Sequence, residues 1–530
     1  MNGGQSHTAI LTAATALQSV LFGLWPLLLI YTITLGDYTL DQLLEPAALV
    51  TVVNLTLWAI LWRLYKDASR AGFIVSILSL ANFFYLPLSD MLTRATKLVS
   101  VVLPSQTVLA VYLITLAIIL YFAHTGKAAF GKKSLSIKFA SLVLPAVTIV
   151  TMLCALNVFT IAGFESKESS ILRDLLAVQF AARQELKIDE KTARPDVYYI
   201  IIDGFANSLT LKDMLGYDNS DFTNYLKEKG FYIAFNSCSN HDRTILSVTS
   251  SLNMQYMTPL AERLGAGSVD AHVPLRLMQE NSVMKLFKKA GYRIVNVCSG
   301  FTPTDHIPQA DLNIRSGWGT GFNMALLNLT LVGAFEPCLH LVENECANIR
   351  LAPIRRASEI SALPGPKFVL IHCLLTHPPL IFDHDGNHLP LSRQLLAAPY
   401  VKEAYVEQLK FTEKQLKKLI DVLCSSANGK SLVILQSDHG SACTDWHREK
   451  QFTLERMRIL NAYRVPERMR MQLTQTITPV NSFRLLFREL FDADLPPVKD
   501  ESFIAIPPDQ MYQFKSVSKI LSESAPAKSQ

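Results

Sequence analysis

Residues 195–207 read PDVYYIIIDGFAN. Six consecutive β-branched or aromatic residues, Val197 to Ile202, stop at Asp203-Gly204. An apolar run of this length without polar alternation fits a strand buried on both faces, as in a parallel sheet covered by helices. Three more runs are short and rich in β-branched or aromatic residues: Tyr292–Val297, Phe368–Cys373 and Leu432–Gln436. Helix-patterned stretches lie near 221–229, 244–255, 281–290 and 401–424. In the last, Val401, Tyr405, Leu409, Leu416 and Leu419 oppose Lys410, Lys414, Lys417 and Lys418, as on the two faces of one helix. The alternation predicts an α/β domain with a mainly parallel central sheet sandwiched between helices.

Upstream the composition changes. Of the 95 Asp, Glu, Lys and Arg residues in this 530-residue chain, 14 fall in positions 1–163 and 81 in 164–530. Charge-free windows at 1–36, 46–62, 71–89, 98–126 and 139–164 meet or approach the ~20 apolar residues that a bilayer span needs. They predict a transmembrane part of about five helices, near 9–34, 46–65, 71–91, 104–123 and 139–162. The first window lacks the basic start of a cleaved signal peptide. The loops at 63–70 and 124–138 carry seven bases and those near 36–45 and 90–98 carry two. Positive-inside reasoning puts the N-terminus in the cytosol and everything after 163 outside a plasma or bacterial inner membrane. The expected organisation is a transmembrane domain at 1–163, a helical connector at 164–195, a catalytic domain at 196–500 and a tail at 501–530, disordered from about 515. Nine bases and five acids in the first part account for most of the net +5, so no basic face points to nucleic acid. Of eight cysteines none forms a CxxC pair; Cys338 and Cys346 are nearest in sequence, and Cys373 in its apolar run is the expected buried thiol.

Ligands of open α/β sheets gather beyond the carboxyl ends of the strands. That edge would hold Asp203-Gly204, Asp438-His439-Gly440, His377-Pro378-Pro379 and Asn240-His241-Asp242-Arg243-Thr244. Singly, each has an ordinary structural reading: Asp-Gly as a turn, His377 as a loop residue, and Thr244 as a helix N-cap. Together, two carboxylates, an imidazole and a hydroxyl make a hard oxygen and nitrogen set for zinc, manganese or magnesium. A divalent ion would activate the Thr244 hydroxyl as a nucleophile, and a helix N-terminus there would favour an anion. Ten of the twelve histidines follow residue 163, and His372, His377, His384 and His388 crowd one stretch. His384 and His388 read as solvated loop residues, whereas His447 could serve either a site or a surface.

These segments, with GYDNSDFTNYLKEKGFYIAFNS (216–237), RTILSVTSSLN (243–253), LLTHPPLIFDHDGN (374–387), ILQSDHGS (434–441), RILNAYRVP (458–466) and TPVNSFRLLF (478–487), resemble the sulfatase-like branch of the alkaline phosphatase superfamily. Membrane spans followed by an exported domain are similar to lipoteichoic acid synthases and phosphoethanolamine transferases. The resemblance implies an alkaline-phosphatase-like fold, Thr244 as nucleophile, and Asp203, Thr244, Asp438 and His439 as metal ligands. Asp203 stands where lipoteichoic acid synthases have Glu. His377 would contact substrate phosphate, with Arg243 and His447 as further substrate contacts. One divalent ion is implied, and a second is left open because no complete second ligand set is assignable. The Cys or Ser of a C/S-x-P-x-R sulfatase signature is missing around Thr244, which disfavours sulfate ester hydrolysis.

The expected function is transfer of a phosphoryl-containing group, phosphoglycerol or phosphoethanolamine, from a phospholipid donor to an envelope glycan or lipid through a Thr244 adduct. The alternatives are a phosphodiesterase or phosphatase that uses water, and a non-catalytic membrane scaffold.

Overall fold

The computed structural model describes residues 2–33, 40–98, 105–125, 144–158, 184–188, 192–319, 321–335, 339–389, 401–425, 429–506 and 510–524. The chain divides into a helical unit, Met1–Lys167 with Gly319–Val342, and an α/β unit, Glu168–Trp318 with Glu343–Gln530.

The helical unit begins with α1 (Asn2–Ile33), α2 (Leu40–Tyr65), α3 (Ala68–Leu98) and α4 (Ser105–Thr125). Within them, Ala9–Thr32, Gln42–Tyr65, Ala68–Leu92 and Gln106–Thr125 are long and apolar enough to cross a membrane. Their outward side chains are apolar, among them Leu49, Val52, Ile60, Ile114 and Ile118. Polar residues turn inward. Asn54 donates to the Ser19 carbonyl at 2.8 Å and the Ser79 hydroxyl at 3.0 Å, and Gln18 donates to the Ser76 hydroxyl at 2.9 Å. Such bonds between helices hold a bundle together where lipid removes the hydrophobic drive for association. Of the fifth expected span, α5 (Leu144–Val158) is described; at this length it falls short of a crossing, and its flanks lie outside the described residues.

The α/β unit is built on a seven-stranded sheet in the order β2-β7-β6-β1-β5-β3-β4. The strands are β1 (Val197–Ile202), β2 (Tyr232–Ile233), β3 (Arg293–Val297), β4 (Leu312–Ile314), β5 (Lys367–Cys373), β6 (Leu432–Gln436) and β7 (Asn461–Arg464). The pairs β6-β1, β1-β5, β5-β3 and β3-β4 are parallel, and β7 pairs antiparallel with both β6 and β2. All six residues of β1 are buried because the sheet is covered on both faces. Tyr198, Ile200 and Ile202 enter one core with Tyr405, Leu409, Leu416 and Leu419 of helix Lys402–Ser425. Val197, Tyr199 and Ile201 enter the other with helices Ser282–Lys289 and Pro479–Phe491. Burial of each such side chain contributes roughly 1.5–3 kcal/mol.

One expectation is corrected, and another falls mostly outside the described residues. Of the connector read as helical, 164–183 and 189–191 lie outside the described set, and the described stretches 184–188 and 192–196 are non-helical. The tail is folded through Ser524: β8 (Phe503–Ala505) pairs with β9 (Phe514–Ser516), and helix Ser518–Glu523 follows. Ile504, Val517 and Leu521 pack with Met457, so a few well-spaced apolar residues outweigh a Ser-, Lys- and Pro-rich composition. Residues 525–530 lie outside the described set. So does Cys338, while Cys373 is buried in β5 as expected.

A buried ion pair fastens the amino ends of the central strands. Lys367 Nζ meets Asp196 Oδ2 at 2.5 Å and donates to the carbonyls of Leu363 and Ser361 at 2.9 and 3.2 Å. Asp196 also accepts from the Lys367 and Leu432 amides, so it joins β1 to β5 and β6 at once. Breaking a buried pair strands a charge, whereas replacing both members with apolar groups is often neutral. Asp196→Ala should therefore destabilise the detergent-solubilised chain by about 3–5 kcal/mol. The double variant Asp196→Ala/Lys367→Met should regain most of that in thermal unfolding, and a double variant as unstable as the single one would contradict this account.

Candidate active site

β1, β5 and β6 run parallel, so their carboxyl ends share one edge. The Ile201↔Gln436 register brings the chain beyond β1 beside the chain beyond β6. Asp203 follows β1 directly and donates its amide to the Cys373 carbonyl at 3.0 Å. Gly204 turns away with φ +74°, a conformation that L side chains rarely adopt, and its amide donates to Asp438 Oδ1 at 3.0 Å. Ser437 clasps the same turn: its hydroxyl donates to the Ile202 carbonyl and accepts from the Phe205 amide. A Cβ on Gly440 would lie 2.0 Å from the Glu455 carbonyl oxygen, so only glycine permits the backbone to close behind His439.

Asp203, Asp438 and His439 are fully buried, and one ligand atom from each lies within 4.8 Å of the others. His439 Nε2 is 3.1 Å from Asp438 Oδ2 and 3.8 Å from Asp203 Oδ1. The third component arrives on helix Thr244–Asn253. Thr244 Oγ1 donates to Asp203 Oδ2 at 3.2 Å and lies 3.0 Å from His439 Nε2. Thr244 is not the N-cap that local sequence indicated. Arg243 holds that position, extended at φ −126°, ψ 138°, with its carbonyl accepting from Leu246 and Ser247. The Thr244 hydroxyl faces the carboxylate cluster instead of the helix amides. Ser247, one turn on, donates to the Asp438 carbonyl at 2.6 Å, as does Ser239, which ties this helix to the β6 loop.

Burial pushes the Asp438 carboxyl up to about 7, and the charge of Asp203 adds to the effect. Burial acts on Asp203 in the same direction, but His377, His372 and His439 outweigh it and hold that carboxyl below its ordinary range. Burial, reinforced by Arg456, drives the His439 imidazole down to about 3, which leaves it neutral at pH 7. Two carboxylates this close do not both ionise without a cation between them. Asp203 Oδ1 and Asp438 Oδ2 are buried and make no hydrogen bond, and such atoms cost free energy unless something positive meets them. The donor set, two carboxylates, a neutral imidazole and a hydroxyl, fits a divalent ion. Among the described residues this is the one group of its kind, and no second set accompanies it.

The other expected residues divide. His377 is half-buried beyond β5, close enough for its charge to act on Asp203 and His439. Its loop is braced by buried Arg350, which donates to the carbonyls of His377, Pro378 and Pro379 at 2.8–2.9 Å. The Arg243 guanidinium acts on Asp242, whose carboxyl burial raises. His447 is not brought to the cluster: its side chain is 68% exposed, with Nδ1 2.7 Å from Asp445 in a surface turn. Its nearness to His439 in sequence is undone by the turn between them. His384 and His388 pair with Glu407 and Glu343.

Arg350 and Arg456 escaped the sequence reading of the site, and His372, noted there only as one of four crowded histidines, was given no role in it. His372, fully buried in β5, places Nε2 3.4 Å from Asp203 Oδ2 and Nδ1 2.8 Å from the Thr304 hydroxyl. A histidine inside an otherwise apolar strand was its signal. Arg456 donates to the Asp242 carbonyl at 2.7 Å and the Gly440 carbonyl at 3.3 Å, bridging the Thr244 and His439 segments. Neither Arg456 nor Arg350 lies in a patterned segment, so both depend on folding for their meaning.

No protein-family model matches the sequence, and no curated protein does. Among solved structures, the chain is similar to the C-terminal periplasmic domain of EcEptC from Escherichia coli, with 14% identity over 65% of this chain and 98% of that one and a TM-score of 0.42. It is also similar to the integral membrane protein lipooligosaccharide phosphoethanolamine transferase A from Neisseria meningitidis, with 12% identity, 91% and 96% coverage and a TM-score of 0.37. A third is a protein in the alkaline phosphatase superfamily from Vibrio parahaemolyticus, with 10% identity, 63% and 81% coverage and a TM-score of 0.37. At these identities and scores the likenesses establish neither reaction nor substrate, which are read from the site itself.

Removing one of two crowded carboxylates should separate the cost of the site from its use. Metal-free Asp438→Asn protein should melt no lower than the metal-free parent, because the repulsion with Asp203 is gone. Manganese, zinc or magnesium at about 100 times its dissociation constant should stabilise the parent by about 2.7 kcal/mol and the variant by far less. Equal metal-induced shifts in the two proteins would remove Asp438 from the ligand set.

Proposed function

We propose that this chain is a membrane-anchored, sulfatase-like enzyme of the alkaline phosphatase superfamily that transfers a phosphoryl-containing group through Thr244. The observation that carries the reading is the position of Thr244 Oγ1, 3.2 Å from Asp203 Oδ2 and 3.0 Å from His439 Nε2 at the start of a helix. A hydroxyl held between a carboxylate and a neutral imidazole, ahead of the helix amides, is placed to attack an anionic ester. A divalent ion held by Asp203, Thr244, Asp438 and His439 would supply positive charge that acidifies the hydroxyl and offsets charge on the phosphoryl oxygens.

The chain's own groups account for the rest. Thr244 gives up its proton, its oxygen bonds to phosphorus, and the ester bond to the leaving alcohol breaks as that alcohol takes up a proton. The first amides of helix Thr244–Asn253 face the incoming negative charge. His377, its loop braced by Arg350, is assigned to the substrate phosphate, and Arg243 to steadying the anion. His372 and Thr376 orient Asp203, the first from the side-chain oxygen and the second by donating to the Asp203 carbonyl. A second hydroxyl then displaces Thr244 and carries the group away.

The donor we assign is a phospholipid with a phosphoglycerol or phosphoethanolamine head group, and the acceptor an envelope glycan or lipid. Support comes from the apolar helices, which exceed what anchoring alone requires. We place five spans in residues 1–163, the N-terminus in the cytosol and residues 196–500, with the folded segment to Ser524, outside the plasma or bacterial inner membrane. Seven bases against two in the alternate loops support this orientation.

Thr244→Ala should abolish turnover while the metal-induced thermal shift largely survives, since two carboxylates and an imidazole remain. Mass spectrometry of the Thr244 peptide after incubation with mixed phospholipids and divalent metal should find an adduct whose mass names the donor head group. Full activity in Thr244→Ala would overturn the reading. Product that added acceptor cannot divert from hydrolysis would make the enzyme a phosphodiesterase.

A further inference from the structure

Within the α/β sequence one stretch carries no Asp, Glu, Lys or Arg from Ser316 to Phe335, twenty residues reading SGWGTGFNMALLNLTLVGAF. The chain leaves the α/β unit after Trp318, and Gly319–Val342 belongs to the helical unit. There it forms helix Gly321–Asn328 and a 3-10 turn, Leu331–Phe335. Phe322 and Leu326, one helical turn apart, are buried with Leu27, Tyr31, Leu43, Phe83 and Val158, and the Phe322 ring meets Tyr31 edge-on at 5.7 Å. Tyr31 stands at the end of α1, Leu43 at the start of α2 and Val158 at the end of α5. The segment is therefore seated where α1 and α5 end and α2 begins, against Phe83 further inside α3.

Its opposite side carries apolar residues as well. Leu329 is 38% exposed and Val332 37%, beside exposed Asn328. In water a helix seated on a core shows a polar outer face. An uncharged segment whose exposed residues are two apolar side chains and one uncharged amide, Asn328, suits a bilayer interface better than water.

We propose that residues 321–335 are an interfacial segment whose outer side contacts lipid, so that the chain returns to the bilayer more than 150 residues after α5. The inference rests on reading α1 to α4 as membrane spans and is independent of the reaction assigned to Thr244. It gives the α/β unit a second tether along the chain, besides the connector that follows α5.

The test is photo-crosslinking of the full chain in nanodiscs of alkyne-tagged phospholipid, with a benzophenone amino acid replacing Leu329 or Val332. Ile114, lipid-facing on α4, and Met471, exposed in the α/β unit, serve as references. Lipid adducts at 329 and 332 should come within about threefold of those at 114 and well above those at 471. Adducts to a second copy of the chain, or none while position 114 labels, would overturn the proposal. Should the substituted chains fail to fold, brominated phospholipids provide the second measurement. The tryptophan fluorescence gained in Leu329→Trp should be quenched by bromine near the head group, and its quenching by iodide alone would refute lipid contact.

Discussion

Asp203 and Asp438 are forced together by the pairing of β1 with β6, and much else in the α/β unit answers to that. Parallel pairing puts the strand ends on one edge, and the Ile201↔Gln436 register lets the Gly204 amide reach Asp438 Oδ1. Side-chain repulsion would spread the two loops, but their backbones are tied down. Thr376 donates to the Asp203 carbonyl, Ser239 and Ser247 to the Asp438 carbonyl, and Arg456 to the carbonyls of Asp242 and Gly440. The hydrogen bonds thus fall on main-chain oxygens, while Asp203 Oδ1 and Asp438 Oδ2 are left for something else. A folding chain with no use for those atoms would have bonded or exposed them.

The fold was legible in the sequence because its strongest signal is local. Four short runs rich in β-branched or aromatic residues can be recognised without tertiary information, and β1 and β6 fall where those runs do. Asp203, Asp438 and His439 were legible for the same reason, since a residue just beyond a buried strand lies on the ligand edge whichever way the sheet is ordered. Residues that act from a distance were not. Arg350 matters because it reaches the loop of His377, and Arg456 because it spans two segments, and no periodicity records either contact. His447 shows the converse error, in which closeness along the chain was mistaken for closeness in space.

Hydrophobic content alone hides the division of the molecule. The α/β unit buries its apolar residues in two layers on either side of the sheet. The helical unit turns Leu49, Val52, Ile60 and Ile114 outward and closes Asn54, Gln18 and their serine partners inside. The two arrangements are inverse solutions of one requirement, that polar groups find partners and apolar ones avoid water. Charge counting recovered that division, but it assigned Gly319–Val342 by position in the chain, and packing assigns it to the helical unit.

The start of helix Thr244–Asn253 shows how a small local choice prepares a site. Threonine ahead of a helix would ordinarily cap it, with its hydroxyl accepting from an amide two or three residues on. Here the backbone bends one residue earlier, at Arg243, whose side chain makes no capping bond. The helix therefore begins without a side chain over its first amides, and the Thr244 hydroxyl points at Asp203 and His439. Forgoing a cap costs about 1 kcal/mol. In return the positive end of the helix and the hydroxyl at its tip both lie beside Asp203 and His439, where the proposed anionic ester would meet them. A threonine capping its own helix could not do this, because its oxygen would already be engaged by the amides that an anion needs.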